Sequence, residues 1–317
     1  MKPTSICGAI LFSICLTLQS SSQTIRKQSS IREVFVATTP CDEISKSLFQ
    51  IPSVTNAEMM KWDITLHRDA GTSEPATYEL SCTYGMAKQG TRGFMPGATT
   101  VELNGKWTIA NGTNDDARAV VYRLTAQNAR IALSFLRPNE NILQLLDAQG
   151  KLMVGNGAWS YTLNSTNPVI LPSNKITSPE NISPAIVFDS AVFYARTPCY
   201  EPLLALTGKP VTGCQLIKCK LVLYCDVKTH EPTNFRLYTV HVGTGNARYP
   251  TSGKWHVTKG TRNDAKAILY QLEPDSVAKT PLTFLRASDS ILFLVDKEMN
   301  CMAGNDYCSY TFNRARK

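Results

Sequence analysis

From Met60 to Arg68 the chain alternates, with Trp62, Ile64 and Leu66 on one side and Lys61, Asp63 and Thr65 on the other. A period of two is the mark of a strand with one buried face. Thr77–Tyr84 repeats it with Tyr78, Leu80, Cys82 and Tyr84, and the stretch between, Asp69–Pro75, carries Gly71 and Pro75 and suits a hairpin loop. Glu33–Thr38 concentrates β-branched and aromatic residues and reads as the first strand, followed by about twenty irregular residues. Downstream, Lys106–Ala110, Ala119–Thr125, Arg130–Leu136, Asn141–Asp147 and Ala158–Leu163 read as further short strands. Asn111-Gly112, Pro138-Asn139 and Gly155-Asn156-Gly157 are turn signals between them. The Gly-rich stretch Gly85–Asn104 reads as a loop, and no segment longer than ten residues keeps a helical period.

The pattern occurs twice. Residues 105–122 (GKWTIANGTNDDARAVVY) and 253–270 (GKWHVTKGTRNDAKAILY) share nine of eighteen aligned positions. The match extends to Ser134-Phe135-Leu136-Arg137 against Thr283-Phe284-Leu285-Arg286 and to Ser160-Tyr161-Thr162 against Ser309-Tyr310-Thr311. Backwards it reaches Thr39-Pro40-Cys41 against Thr197-Pro198-Cys199. The repeat is a whole small domain, longer than a solenoid unit. Evenly spaced strands with one polar face make the chain all-β, two tandem antiparallel barrels of about eight strands each. The copies occupy residues 33–164 and 186–314, and the Pro- and Ser-rich stretch 165–185 is the linker between them. Trp62, Tyr78, Tyr122 and Phe135 are the expected lining of the first interior.

The start of the chain stands apart from this pattern. Lys2 precedes an apolar run from Ile6 to Leu18 and then Ser20-Ser21-Ser22, the layout of a signal peptide over residues 1–22. No later run is long enough to span a membrane as a helix. Ile14 before Cys15 is not the small residue that lipid anchoring needs, so the expectation is an exported, periplasmic or secreted protein without a lipid anchor. Without residues 1–22 the formal charge falls from +8 to +7 through the loss of Lys2. The basic residues are spread along the sequence rather than clustered, so no nucleic-acid partner is expected.

Eight of the ten cysteines remain after the signal, which in an oxidising compartment points to disulfides. Aligning the copies puts Cys301 at the place of Leu152 and Cys308 at that of Trp159, two apolar residues flanking a turn. Cross-strand neighbours there would have Cβ atoms about 5 Å apart, so a Cys301–Cys308 bridge is expected. Cys41 is then expected to pair with Cys82, the other cysteine of its copy. The histidines 67, 230, 241 and 256 share no metal-ligand spacing, and no nucleophile or phosphate-loop motif is present, so no enzyme is expected.

The layout of each copy resembles the N-terminal domain of the NlpE family, bacterial envelope proteins linked to copper resistance and adhesion sensing. The matching residues are Pro40-Cys41, Gly105-Lys106-Trp107 and Leu143–Asp147, then Pro198-Cys199, Gly253-Lys254-Trp255 and Leu292–Asp296. The resemblance implies a lipocalin-like barrel in each copy and a role in copper homeostasis through metal or small-ligand binding. Cu(I) takes thiolate and thioether ligands, which makes Cys41 and Cys199 the candidate ligands, with Met59, Met60, Met86, Met95, Met299, Cys301 and Met302 as further soft donors. The family's turn has a second cysteine, whereas here Cys41 is followed by Asp42-Glu43-Ile44 and Cys199 by Tyr200-Glu201-Pro202. The alternative is a protein-interaction module with solid barrels, its partner another envelope protein; the ligand of the first reading is a small apolar molecule or copper.

Overall fold

The structure is a computed structural model that describes residues 32–113, 119–127, 130–168, 188–199, 203, 212–261, 264–276 and 280–315. The stretch expected to be a signal peptide, most of the expected linker and Asn114–Asp116 lie outside them.

Two closed antiparallel barrels follow one another, each a meander in which neighbours in sequence are neighbours in the sheet. The first is β1 (Arg32–Pro40), β2 (Met59–Arg68), β3 (Pro75–Gly85), β4 (Thr99–Asn111), β5 (Val120–Ala126), β6 (Ala132–Asn139), β7 (Ile142–Leu146) and β8 (Thr162–Ser165). It closes where Phe35 and Val36 pair with Ser165 and Asn164. The second is β9 (Ser190–Thr197), β10 (Leu216–Cys225), β11 (Pro232–Val242), β12 (Ala247–Lys259), β13 (Ile268–Pro274), β14 (Leu282–Ser288), β15 (Ile291–Val295) and β16 (Thr311–Arg314). It closes where Tyr194 pairs with Asn313. Closure leaves no free sheet edge.

The alternation read from the sequence is the inward–outward alternation of these strands. Trp62, Ile64 and Leu66 are buried with Tyr78, Leu80, Tyr122 and Phe135 in one interior cluster. The Gly-Lys-Trp motif has a steric reason in each barrel. A Cβ on Gly105 would lie 2.0 Å from the Thr125 carbonyl oxygen, and one on Gly253 would lie 2.0 Å from that of Glu273. The neighbouring strand therefore passes too close for any side chain. Two residues on, each Trp turns inward and finds an equivalent partner for its indole. Trp107 Nε1 donates to the His67 carbonyl (2.8 Å) and Trp255 Nε1 to that of Tyr224 (2.7 Å).

Three expectations change. The loop expected at Gly85–Asn104 yields its end to β4, which begins at Thr99 and pairs Val101 and Leu103 with Cys82 and Leu80. The stretch after β1 contains a short helix, α1 (Glu43–Leu48), capped by the Asp42 carboxylate, which accepts from the Ile44 and Ser45 amides. The strand expected at Ala158–Leu163 starts later, at Thr162. Before it, residues 147–161 form a strap at the barrel wall, where Leu152 packs on the outward residues Val121, Leu136 and Leu146 while Met153 and Tyr161 enter the interior cluster. With the interior on one face and the strap on the other, all five residues of β7 and of β15 are buried. This is why both strands read as unbroken apolar runs.

Candidate functional site

A ligand-binding barrel needs an open interior, and the first barrel is filled and stoppered at both ends. At the end where β1 finishes, α1 delivers Phe49 edge-on to Trp62, with ring centroids 4.9 Å apart. At the other end Glu33 sits between two arginines, 2.8 Å from Arg68 Nε and 3.2 Å from an Arg137 amino group. Arg68 lies over the Trp107 ring at 4.8 Å and Arg137 over the Tyr122 ring at 4.9 Å. In the second barrel Phe188 stacks on Trp255, Arg314 covers Phe188 and Arg286 covers Tyr270. Arg286 is itself paired with Asp289.

The cysteines fall out differently from the expectation. Cys199 pairs with Cys214, joining the end of β9 to the approach of β10. Cys301 and Cys308 are separate buried thiols, as are Cys41 and Cys82. Cys301 does not face Cys308 across a hairpin. It bridges Val295 as Leu152 bridges Leu146, and packs under the strap against Leu285 and Phe293. It therefore took over a packing role, which suits a buried thiol. Cys308 lies beyond the turn, where Asn305 N bonds the Cys308 carbonyl at 2.8 Å, and belongs to a separate cluster with Leu216 and Tyr307.

The same facts bear on copper. Cys199 has no free sulfur to offer, because its disulfide with Cys214 uses it. Burial pushes the Cys41 thiol up to about 11. Among the described residues no three of His, Cys, Asp or Glu are grouped to share a metal ion. Met60 is buried in the first core, and Met299 and Met302 pack against the two clusters of the second barrel. The expected pair Cys41 and Cys199 forms no shared copper site; the soft donors that do share a cluster are Cys41, Cys82, Met60 and Met153, inside the closed first core.

What does converge is the joint between the barrels. Ser160 Oγ meets Ser309 Oγ at 2.6 Å and Thr162 Oγ1 meets Thr311 Oγ1 at 2.7 Å, each pair 149 residues apart. The Gly155 amide donates to Asn313 Oδ1 at 2.8 Å, and the Gly304 amide donates to Asn164 Oδ1 at 2.7 Å. These are equivalent residues of the two copies meeting each other, the arrangement of a two-fold isologous contact built within one chain. Asn164 Nδ2 adds a bond to the Asn305 carbonyl at 2.9 Å, and Asn139 Nδ2 one to the Cys301 carbonyl at 2.9 Å. At the rim Asp306 takes Lys61 and Arg92 of the first barrel at 3.7 and 3.8 Å. Arg196 lies over the Trp159 ring, 5.6 Å from its centroid. The repeated Ser-Tyr-Thr-x-Asn segment was the sequence signal for this joint. Its alternate polar residues are buried in both copies, which an ordinary half-exposed strand would not need.

No family model matches the chain, and neither a curated protein nor a solved structure does.

Proposed function

We propose that the protein is a non-enzymatic, exported envelope protein that acts through its outer surfaces, as an adhesion- or stress-sensing interaction module of NlpE-like descent. The observation that supports it best is the first barrel's interior, filled from Phe49 at one end to the Arg68–Glu33–Arg137 cluster at the other. A solid barrel offers a partner its faces and loops. The polar joint, with Ser160, Thr162 and Asn164 bonded to the second copy, supports a two-lobed body whose faces keep a fixed relation. The copper role carried by the resemblance has weaker support, since Cys199 is committed to a disulfide and Cys41 is buried in the closed core of the first barrel.

The test is titration of the purified mature protein with Cu(I) and, separately, with an apolar fluorescent probe. Neither is expected to saturate at one or two equivalents. Stoichiometric uptake of either would replace the interaction reading with a carrier reading.

A further inference from the structure

Basic residues that are spread along the sequence are gathered by the sheet of the second barrel. Outward positions on β10, β11 and β12 place Lys218, Lys220, Arg236 and Arg248 on one face. The register makes Lys220 a direct neighbour of Tyr194 on one side and Tyr238 on the other, and sets Arg248 two strands from Lys218 across Val240. Lys218, Lys220, Arg248 and the two tyrosines border a shallow groove of about 710 Å³ floored by Val222 and Val240. Strands β9 to β12 contain no Asp or Glu. The nearest acids along the chain lie at the margins, Asp189 just before β9, Asp226 and Glu231 in the β10–β11 turn and Glu273 on β13. None of the four cations makes an ion pair among the described residues.

The first barrel is an internal control for whether the fold needs this. In the aligned copies Lys220 stands where the first has Asp63, Arg236 where it has Glu79, Tyr238 where it has Ser81, and Arg248 where it has Thr100. There the face is mixed in charge and bonds within itself. Ser81 donates to Glu102 at 2.7 Å, Thr83 meets Thr100 at 2.8 Å, and His67 lies 3.8 Å from Glu79. The same barrel thus closes with acids at two of these places and neutral residues at the other two, while Lys218 keeps a basic counterpart in Lys61. Like charges on neighbouring strands oppose folding, so packing gives no reason for the basic version.

We propose that this face of the second barrel binds an acidic polysaccharide. Carboxylates spaced along such a polymer match unpaired Lys and Arg heads, Arg by a two-point contact. The flat C–H faces of the sugar rings match the apolar bodies of Tyr194 and Tyr238. Those tyrosines sit two strands apart, roughly 10 Å, about the span of a disaccharide. Tyr238 is 40% exposed, and the valine floor carries no protruding apolar side chain of the kind that enters a bilayer. The choice of a polymer met outside the cytoplasm rests on the exported, surface-acting reading above.

The experiment measures binding of the full mature protein to polygalacturonate, with uncharged dextran, oligodeoxythymidine and phosphatidylglycerol vesicles as rivals. Polygalacturonate is expected to bind, and to bind less as salt is raised. The triple variant Lys220→Asp/Arg236→Glu/Tyr238→Ser installs the first barrel's own residues and is expected to bind about tenfold more weakly or worse. Lys218→Gln/Arg248→Thr, a milder second variant, is expected to weaken binding too, while Asp306→Asn at the joint rim leaves it unchanged. Equal binding of dextran, or full binding by both variants with native circular dichroism, would overturn the proposal. Tighter binding of oligodeoxythymidine would reassign the face to single-stranded nucleic acid, and tighter binding of vesicles would reassign it to a membrane surface. Copper or probe uptake in the earlier titration would undo the surface-acting reading without touching this result, and failure here leaves that reading standing.

Discussion

Trp107 and Trp255 show how much one residue reveals when it is kept twice. Each is almost fully buried, each donates its indole N–H to the carbonyl at the same place in its barrel, and each follows a glycine that tolerates no Cβ. Trp107→Ala should therefore cost about 3–5 kcal/mol in urea unfolding, and Trp255→Ala a similar amount. A cost below about 1 kcal/mol would mean that the ring contributes no packing. The motif was legible because a repeated Gly-x-Trp is an extreme of size contrast. The fate of the cysteines was not, because a thiol that packs and a thiol that bridges are the same letter. Their burial has its own consequence. Folding lifts Cys41 and Cys225 from about 9 to about 11, and Cys219 and Cys308 to about 12, all by desolvation. The unfolded chain gives up these protons first, so the stabilisation they carry is complete below about pH 9 and is lost as pH rises toward 11. Unfolding midpoints measured from pH 8 to 11 should fall, and fall less in a Cys41→Ala/Cys225→Ala variant. A flat profile would contradict the burial.

Strands announced themselves in proportion to the contrast between their two faces. β2 and β3 have one face in the core and one in water, and their alternation gave their limits to within two residues. β4 begins among small polar residues, Thr99 and Thr100, whose pairing is decided by β3 rather than by any local preference. β8 was misplaced because its polar residues are buried. Thr162 and Asn164, with Ser160 just before the strand, look like an outward face and are one, but the surface they face is the other barrel. Asn164→Ala tests that element. It removes the bond to the Asn305 carbonyl and strands the Gly304 amide, at a cost of about 1–3 kcal/mol. A double variant with Gly304 left in place and Asn313→Ala added removes the reciprocal bond from Gly155 as well. Near-additive losses in the pair are expected, and a loss within error for Asn164→Ala alone would show that water replaces it freely.

Each barrel carries its own closed sheet, core cluster and in-strand Gly-Lys-Trp segment, so the second copy has what it needs to fold by itself. Residues 186–317 expressed alone should give the circular dichroism of an all-β protein, and an unfolded spectrum would refute this. Because Ser meets Ser and Thr meets Thr at the joint, the isolated barrel presents a patch complementary to its own copy. It should sediment as a dimer at high concentration, and addition of residues 23–165 should convert it to a one-to-one complex. The two-barrel plan was legible from the repeat, and the joint was not, since a periodic pattern marks which residues are buried without saying by what.

The joint also separates two histories that a pair of identical barrels would have to share. In a dimer of identical chains every substitution is made on both sides of the axis at once. A face that turned basic on one lobe would turn basic on the other, and any benefit would be tied to a doubled cost. Fusing the copies into one chain breaks that tie while keeping the contact, since Ser160 and Ser309 still meet. Asp63 can then stay acidic while its counterpart becomes Lys220. One lobe is free to specialise while the other goes on serving as its scaffold.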